Sequence, residues 1–106
     1  DVTFVDNNPG ACKTIRANLN SLDLGAQVIL GDAVATLGSL DVDLVLADPP
    51  YGFEDWRSLL AAAGDAVVVA ESNRMIGPFE GWELIRTRSY GRAVITILRP
   101  GNTNMS

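Results

Sequence analysis

"VLADPPYGF", Val45 to Phe53, is the stretch on which the reading of the chain turns. Apolar residues from Leu44 to Ala47 read as a buried strand, and they run into Asp48, two prolines, Tyr51 and Gly52. Proline fixes φ near −65° and has no N–H, so Pro49 and Pro50 end any ladder and stiffen the chain just after the carboxylate. The carbonyls at 49 and 50 are therefore expected to stay aimed and unpaired. A carboxylate, a rigid carbonyl and an aromatic face suit a planar substrate bearing an exocyclic –NH2 group. The two acceptors each take one N–H, the ring stacks on Tyr51, and the nitrogen lone pair is turned toward an electrophile. Positioning and charge stabilisation beside Asp48 would supply the catalysis, with Asp48 or water taking the surplus proton.

Outward from this point the chain alternates short β-rich runs with helical patterns. "VTFV" (Val2–Val5) reads as a strand ending at Asp6. A helix follows, with Asn8 as N-cap, Pro9 at its first position and an apolar face of Ala11, Cys12, Ile15, Leu19 and Leu22; Gly25 is expected to stop it. "QVIL" (Gln27–Leu30) is a second strand, a short helical turn covers Val34–Leu37, and "DLVLA" (Asp43–Ala47) is the third strand. Phe53, Trp56, Leu59, Leu60 and Ala63 mark another helix before "AVVVA" (Ala66–Ala70). "WELIRTRSY" and "AVITILR" read as a hairpin turning through Gly91-Arg92. The pattern predicts an α/β fold whose parallel sheet is covered on both faces and carries a C-terminal antiparallel hairpin. Residues 1–100 are expected to form one domain, and 101–106 a tail.

Asp6, Asp32 and Asp48 each follow a predicted parallel strand. In an open α/β sheet such ends lie on one side, where ligands bind. The first acid is placed to accept from two ribose hydroxyls and the second to meet an adenine amino group. Each could instead cap the next helix.

The bulk properties set bounds. The 106 residues suffice for one modest core, and their net charge of −5 argues against wholesale nucleic-acid binding by this segment. Residues 1–73 hold three basic and eleven acidic side chains, whereas residues 74–106 hold five arginines against Glu80 and Glu83, so a polyanion could be met at the C-terminal end. No apolar run approaches the roughly 20 residues of a membrane span. One cysteine rules out an internal disulfide and suits a reducing compartment, the cytoplasm; with no histidine, an ordinary zinc site is not expected.

"VLADPPY" resembles motif IV of amino-group methyltransferases that use S-adenosylmethionine. The order "VTFVDNNPGACKTIRANL", "VILGDA", "DLVLADPPYGF" and "VVVAES" is similar to the RsmD type of bacterial ribosomal RNA methyltransferase. That resemblance implies a Rossmann-like class I methyltransferase sheet and methyl transfer to N2 of one guanine, position 966 of the 16S rRNA in the small ribosomal subunit. It also implies roles: Asp6 with Asn7 at the cofactor ribose, Asp32 with Ala33 at the adenine, and Asp48, Pro49, Pro50 and Tyr51 around the target amine, with Asp48 also bordering the cofactor. DNA adenine and cytosine amino-methyltransferases share (D/N)PP(Y/F), so the motif alone gives the reaction class and not the nucleic acid. A non-catalytic α/β module that uses the cleft only for binding is the alternative of a different kind.

In the family's fold a strand and a glycine-rich turn precede the ribose-acid strand, and the 106 residues contain no G-x-G pattern. The expectation is a sheet lacking that strand and loop, with these residues as part of a longer chain; direct pairing of the Val2–Val5 and Asp43–Ala47 strands is the other possibility. Arg86, Arg88, Tyr90 and Arg92 cluster near the hairpin tip, and Arg88, Tyr90 and Arg92 are candidates for RNA phosphate contacts. Trp56 and Cys12 read as core, and Trp82 as an anchor for the last strands. The 106 residues by themselves are expected to bind S-adenosylmethionine feebly and to show little or no methyl transfer, which a radiolabelled-methyl assay on the isolated chain checks.

Overall fold

Asn8 starts the first helix in the way the sequence requires. The computed structural model describes residues 1–101. Strand β1 (Thr3–Asp6) leads into helix α1 (Pro9–Ser21), where the Asn8 side chain accepts from the N–H groups of Gly10 and Ala11 at 2.8 and 3.1 Å and Pro9 occupies the first helical position. The helix does not run on to Gly25. It ends at Leu22, and Asp23 takes the left-handed conformation at φ 56°. The Leu24 N–H donates to the Leu19 carbonyl at 2.9 Å and the Asp23 N–H to Asn20 at 3.2 Å, the two bonds of a Schellman cap. A polar side chain, two positions before the glycine, thus does the stopping.

Strand β2 (Gln27–Leu30) pairs parallel to β1, with Asp6 opposite Leu30, and is followed by the short helix α2 (Ala33–Leu37). These elements form one compact unit, residues 1–40. Its single fully buried apolar side chain is Cys12, 1% exposed, whose thiol points at the carbonyls of Asp6 and Ile29. The cysteine is packing, as its place on the apolar helix face implied.

The second unit starts at residue 41. Strand β3 (Leu44–Ala47), helix α3 (Trp56–Ala63), strand β4 (Val67–Ser72) and the hairpin of β5 (Trp82–Tyr90) and β6 (Ala93–Pro100) build a four-stranded sheet in the order β3-β4-β6-β5. Strands β3 and β4 are parallel, β6 is antiparallel to both its neighbours, and β5 therefore runs with β3 and β4. The hairpin tip consequently lies at the same end of the sheet as Asp48. Gly91, at φ 62°, supplies the first central residue of that two-residue turn.

Two readings of these segments change. Phe53 precedes α3 rather than belonging to it, and β4 extends through Glu71 to Ser72. Among the described residues β1 is paired with β2 and β3 with β4, each in its own sheet, so the ladders do not include the alternative β1–β3 pairing.

Within the second unit the described residues supply a helix to one face of the sheet. The crossover from β3 to β4 carries α3 to one face, where Trp56, Leu59, Leu60 and Ala63 are buried together with Val68, Ala70, Val94, Thr96 and Leu98. The connection from β4 to β6 runs through a strand, not a helix, so it delivers no second helix to the opposite face. Leu44 and Leu46 stand there 55% and 75% exposed.

Thr96 is fully buried opposite Thr87, and neither hydroxyl has a hydrogen-bond partner. Leaving a buried hydroxyl unsatisfied costs about 1–3 kcal/mol, so Thr96→Val is expected to be neutral or stabilising by up to about 1 kcal/mol, read as an unchanged or raised urea midpoint. Asp23→Gly, which removes the Cβ strain at the helix stop, is expected to add up to about 1 kcal/mol in the same measurement.

Candidate functional site

The sequence-predicted residues fall into two groups. In the first unit, β1 and β2 are adjacent parallel strands, so Asp6 at the end of one and Asp32 just past the end of the other emerge side by side at the sheet's carboxyl edge. The Gly31 N–H donates to the Asp6 carbonyl at 3.0 Å and ties the two loops together. Asp6 Oδ1 accepts from the Asn8 N–H at 2.8 Å, and Asp32 Oδ2 accepts from the Ala35 N–H at 2.9 Å as the N-cap of α2. Each carboxylate thus fixes its own loop with one oxygen. The other oxygen has no partner among the described residues, so the capping and ligand-facing readings coexist. Asn7 and Ala33 are exposed beside them. Two held carboxylates, each with a spare acceptor, fit hydroxyl and amino donors of a nucleoside.

In the second unit Asp48 follows the last residue of β3 and is exposed, without a hydrogen bond or ion pair among the described residues. Beyond it Pro50, Tyr51, Gly52 and Phe53 make a turn. The Phe53 N–H donates to the Pro50 carbonyl at 3.1 Å, and Gly52 takes φ 91°, the value that position i+2 of a type II turn demands. This corrects the expectation of two free carbonyls: the turn engages that of Pro50, and only the Pro49 carbonyl keeps its lone pairs uncontested by a backbone donor.

Pro49, Pro50, Tyr51, Gly52, Phe53 and Trp56 form one wall of a cleft, and Glu71, Ser72, Asn73 and Arg74 form the other. Its enclosed part is about 10 Å³, the room for one water, so a planar ligand would lie in the open mouth against Tyr51, which is 62% exposed. Phe53 stands edge-on to Trp56 with ring centroids 5.0 Å apart. Trp56 is core at 4% exposure, as its helical spacing implied, yet it also borders the cleft, and its indole N–H has no acceptor.

Glu71 directly follows the apolar run Ala66–Ala70, as Asp48 follows Leu44–Ala47. Ser72, Asn73 and Arg74 were missed because β4 runs two residues further than its apolar run. The signal was available: polar residues directly after the apolar run of a parallel strand, the same rule that found Asp48. Ser72 is buried and its hydroxyl donates to the Arg74 carbonyl at 2.6 Å, which shapes this wall. Arg74 also stands 3.8 Å from Glu54, an exposed pair of little energetic weight.

The hairpin residues lie together near its tip, on a different surface from the cleft beside Tyr51. Arg88 and Tyr90 share one sheet face with Arg86, while Arg92 sits in the turn. None of them lines the cleft beside Tyr51. Arg86, Arg88, Tyr90, Ile95 and Ile97 instead border a separate concavity of about 210 Å³.

The fold that carries these loops is one found in methyltransferases. A methylase of Haemophilus influenzae, named so provisionally, matches with a TM-score of 0.74 at 20% identity, over 94% of this chain and 72% of its own. A conserved hypothetical protein of Streptococcus pyogenes matches at 0.77 and 21%, over 94% and 71%. An rRNA methylase of Escherichia coli matches at 0.72 and 14%, over 95% of this chain and 49% of its own. This chain therefore spans between about half and under three-quarters of those proteins. It belongs to the family described as "Conserved hypothetical protein 95", whose model matches residues 1–99. No curated protein matches the sequence. Among the described residues no helix is long and apolar enough to cross a membrane.

Gly52→Ala tests the turn. Nothing lies within 4 Å of the added Cβ, so the cost is purely conformational, about 1 kcal/mol or more from forcing a left-handed alanine. The expected outcome is a matching loss of stability in urea, with changed amide shifts confined to Pro50–Trp56 and the facing Glu71–Arg74 loop.

Proposed function

We propose that this chain is the cofactor- and amine-binding part of an S-adenosylmethionine-dependent methyltransferase acting on an exocyclic nucleobase amine in ribosomal RNA, with N2 of a guanine in small-subunit 16S rRNA as the target. The observation that carries this reading is Asp48. A carboxylate left unpaired at a strand end, followed by a proline-stiffened turn and an exposed tyrosine, has no structural task of its own. It is free to accept from an amine.

The sulfonium cofactor would supply the electrophilic methyl group. The chain's own residues do the rest. Asp6 and Asp32 offer their spare carboxylate oxygens to ribose hydroxyls and the adenine amine, with Asn7 and Ala33 beside them. Asp48 accepts one N–H of the target amine and the Pro49 carbonyl the other, while Tyr51 stacks on the base. The correction at Pro50 narrows the acceptor pair to these two groups. As positive charge develops on nitrogen, the Asp48 carboxylate stabilises it and is placed to take the proton.

Support for RNA comes from the rRNA methylase among the proteins that share the fold, and from the arginine-rich hairpin, whose tip lies at the Asp48 end of the sheet. Arg88, Tyr90 and Arg92 would meet phosphates and so position the RNA rather than read its sequence.

The test uses the native protein that contains this sequence. Asp48→Ala is expected to lower methyl transfer to undermethylated small ribosomal subunits by about a hundredfold or more, with S-adenosylmethionine binding retained in calorimetry. Full activity of the variant would discard the mechanism. A preference for duplex DNA over the small subunit would move the assignment to a DNA amino-methyltransferase, and cofactor binding without any transfer would favour a binding module.

A further inference from the structure

Asp48 has a neighbour of the same charge. Strands β3 and β4 run parallel with Leu46 beside Val69 and Ala47 beside Ala70, so the next step of the register brings Glu71 beside Asp48. Val68, Ala70 and Ser72 are buried, and alternation along β4 turns Glu71 to the face opposite theirs. Asp48 precedes a proline, which biases it to extended backbone, so the alternation of β3 carries on through it and puts it on the face of Leu46. Leu46 and Val69 share that face with Glu71. Neighbouring strands are about 4.8 Å apart, so two carboxylates emerge side by side at the carboxyl ends of β3 and β4.

This placement follows from the ladder between the two strands. The Glu71 backbone is still inside the sheet, paired with Ile95 of β6 on its other side. Glu71 also opens the cleft wall that faces Tyr51, and the Ser72 hydroxyl, donating to the Arg74 carbonyl at 2.6 Å, holds the rest of that wall. Neither Asp48 nor Glu71 has an ion-pair partner among the described residues. Like charges side by side on adjacent strands repel, and hydrogen-bond donors between them relieve the repulsion. At the edge of the same cleft Trp56, 4% exposed, keeps an indole N–H without an acceptor, so polar capacity is left over even where the chain's own side chains enclose it.

We infer that Glu71 selects the base: its carboxylate accepts the ring N–H that lies next to the exocyclic amine held by Asp48 and the Pro49 carbonyl. The inference rests on the methyl-transfer reading above and deepens it. Three nucleobases carry an exocyclic amine, and enzymes that act on an extruded base read this edge by hydrogen bonds. Guanine has a donor, N1–H, beside its amine. Adenine has the bare N1 there and cytosine the bare N3, and a lone pair facing a carboxylate is repelled. A second acid beside the amine-binding acid therefore admits guanine and turns away the other two. Asn73 and Arg74, next along the same wall, carry N–H donors for the guanine O6, the group that follows N1–H on that edge.

The test uses the native protein that contains this sequence and small ribosomal subunits reconstituted with either guanine or 2-aminopurine at the target position. The analogue keeps the amine at C2 but has a bare N1 and no O6. The unsubstituted protein is expected to transfer methyl to it with kcat/KM about a hundredfold below that for guanine. Glu71→Gln keeps the shape and offers an amide that can donate to the bare N1. It is expected to lower transfer to guanine about tenfold or more and to bring the two bases within about tenfold of each other, with S-adenosylmethionine binding in calorimetry unchanged. Full activity of the variant on guanine, the same ratio between bases in both proteins, or loss of cofactor binding in the variant overturns the role given to Glu71. Absence of any transfer to guanine by the unsubstituted protein overturns the methyl-transfer reading itself, and this inference with it.

Discussion

Two prolines in succession cannot donate to a sheet, and the rest of the second unit is arranged around that stop. Strand β3 has to end at Ala47, so Asp48 falls where the ladder has ceased and where its carboxylate needs no partner to satisfy the backbone. Pro50 then accepts the Phe53 N–H, and Gly52 closes the turn with a positive φ. The stiffness attributed to the prolines alone is shared with this turn. It leaves Tyr51 projecting at the cleft mouth, and it places Phe53 against the indole that begins α3.

The two units differ in what holds them. The first has a thin interior in which Cys12 lies between α1 and the β1–β2 pair, and its order depends on local devices: the Asn8 cap, the Schellman stop at Asp23 and the Asp32 cap. The second has a packed layer, with α3 against β4 and β6, where Leu60, Val68 and Leu98 are almost fully buried. Burial at roughly 25 cal/mol per Å² of apolar surface favours that layer strongly, and the sheet's other face, where Val69 and Ile97 are half-buried and Leu44 and Leu46 exposed, gains less. The asymmetry arises from connectivity. A β-α-β crossover delivers a helix to one face, and a hairpin delivers none.

Membership in the family and the shared methyltransferase fold agree with what the loops can do chemically. The acids at the ends of β1 and β2 have spare acceptor oxygens after capping their own turns, and Asp48 has both. The proposed function assigns these spare oxygens to the cofactor and the target amine.

Much of this was readable in the sequence because it is local. Apolar runs of the right length located β1 to β4, Asn8-Pro9 announced the start of α1, and Gly91 marked the hairpin. Asp6, Asp32 and Asp48 followed from the rule that strand ends carry the chemistry. The readings that failed were those decided by partners distant in sequence or by backbone not written in residue type. The helix stop moved from Gly25 to Asp23 because two orphan carbonyls, those of Leu19 and Asn20, needed donors at that position. Simple alternation would place Leu84 on the same face as Arg86, Arg88 and Tyr90; the irregularity at Ile85 turns it to the other side, opposite Leu98. What the sequence determined by itself was the order of elements, their caps and the acids at their ends, because these depend on neighbours a few bonds away. Only the tertiary structure decided which sheet face is covered, that Ser72, Asn73 and Arg74 wall the cleft, and that Pro50's carbonyl is engaged, because each depends on where separate segments meet and which hydrogen bonds they then satisfy.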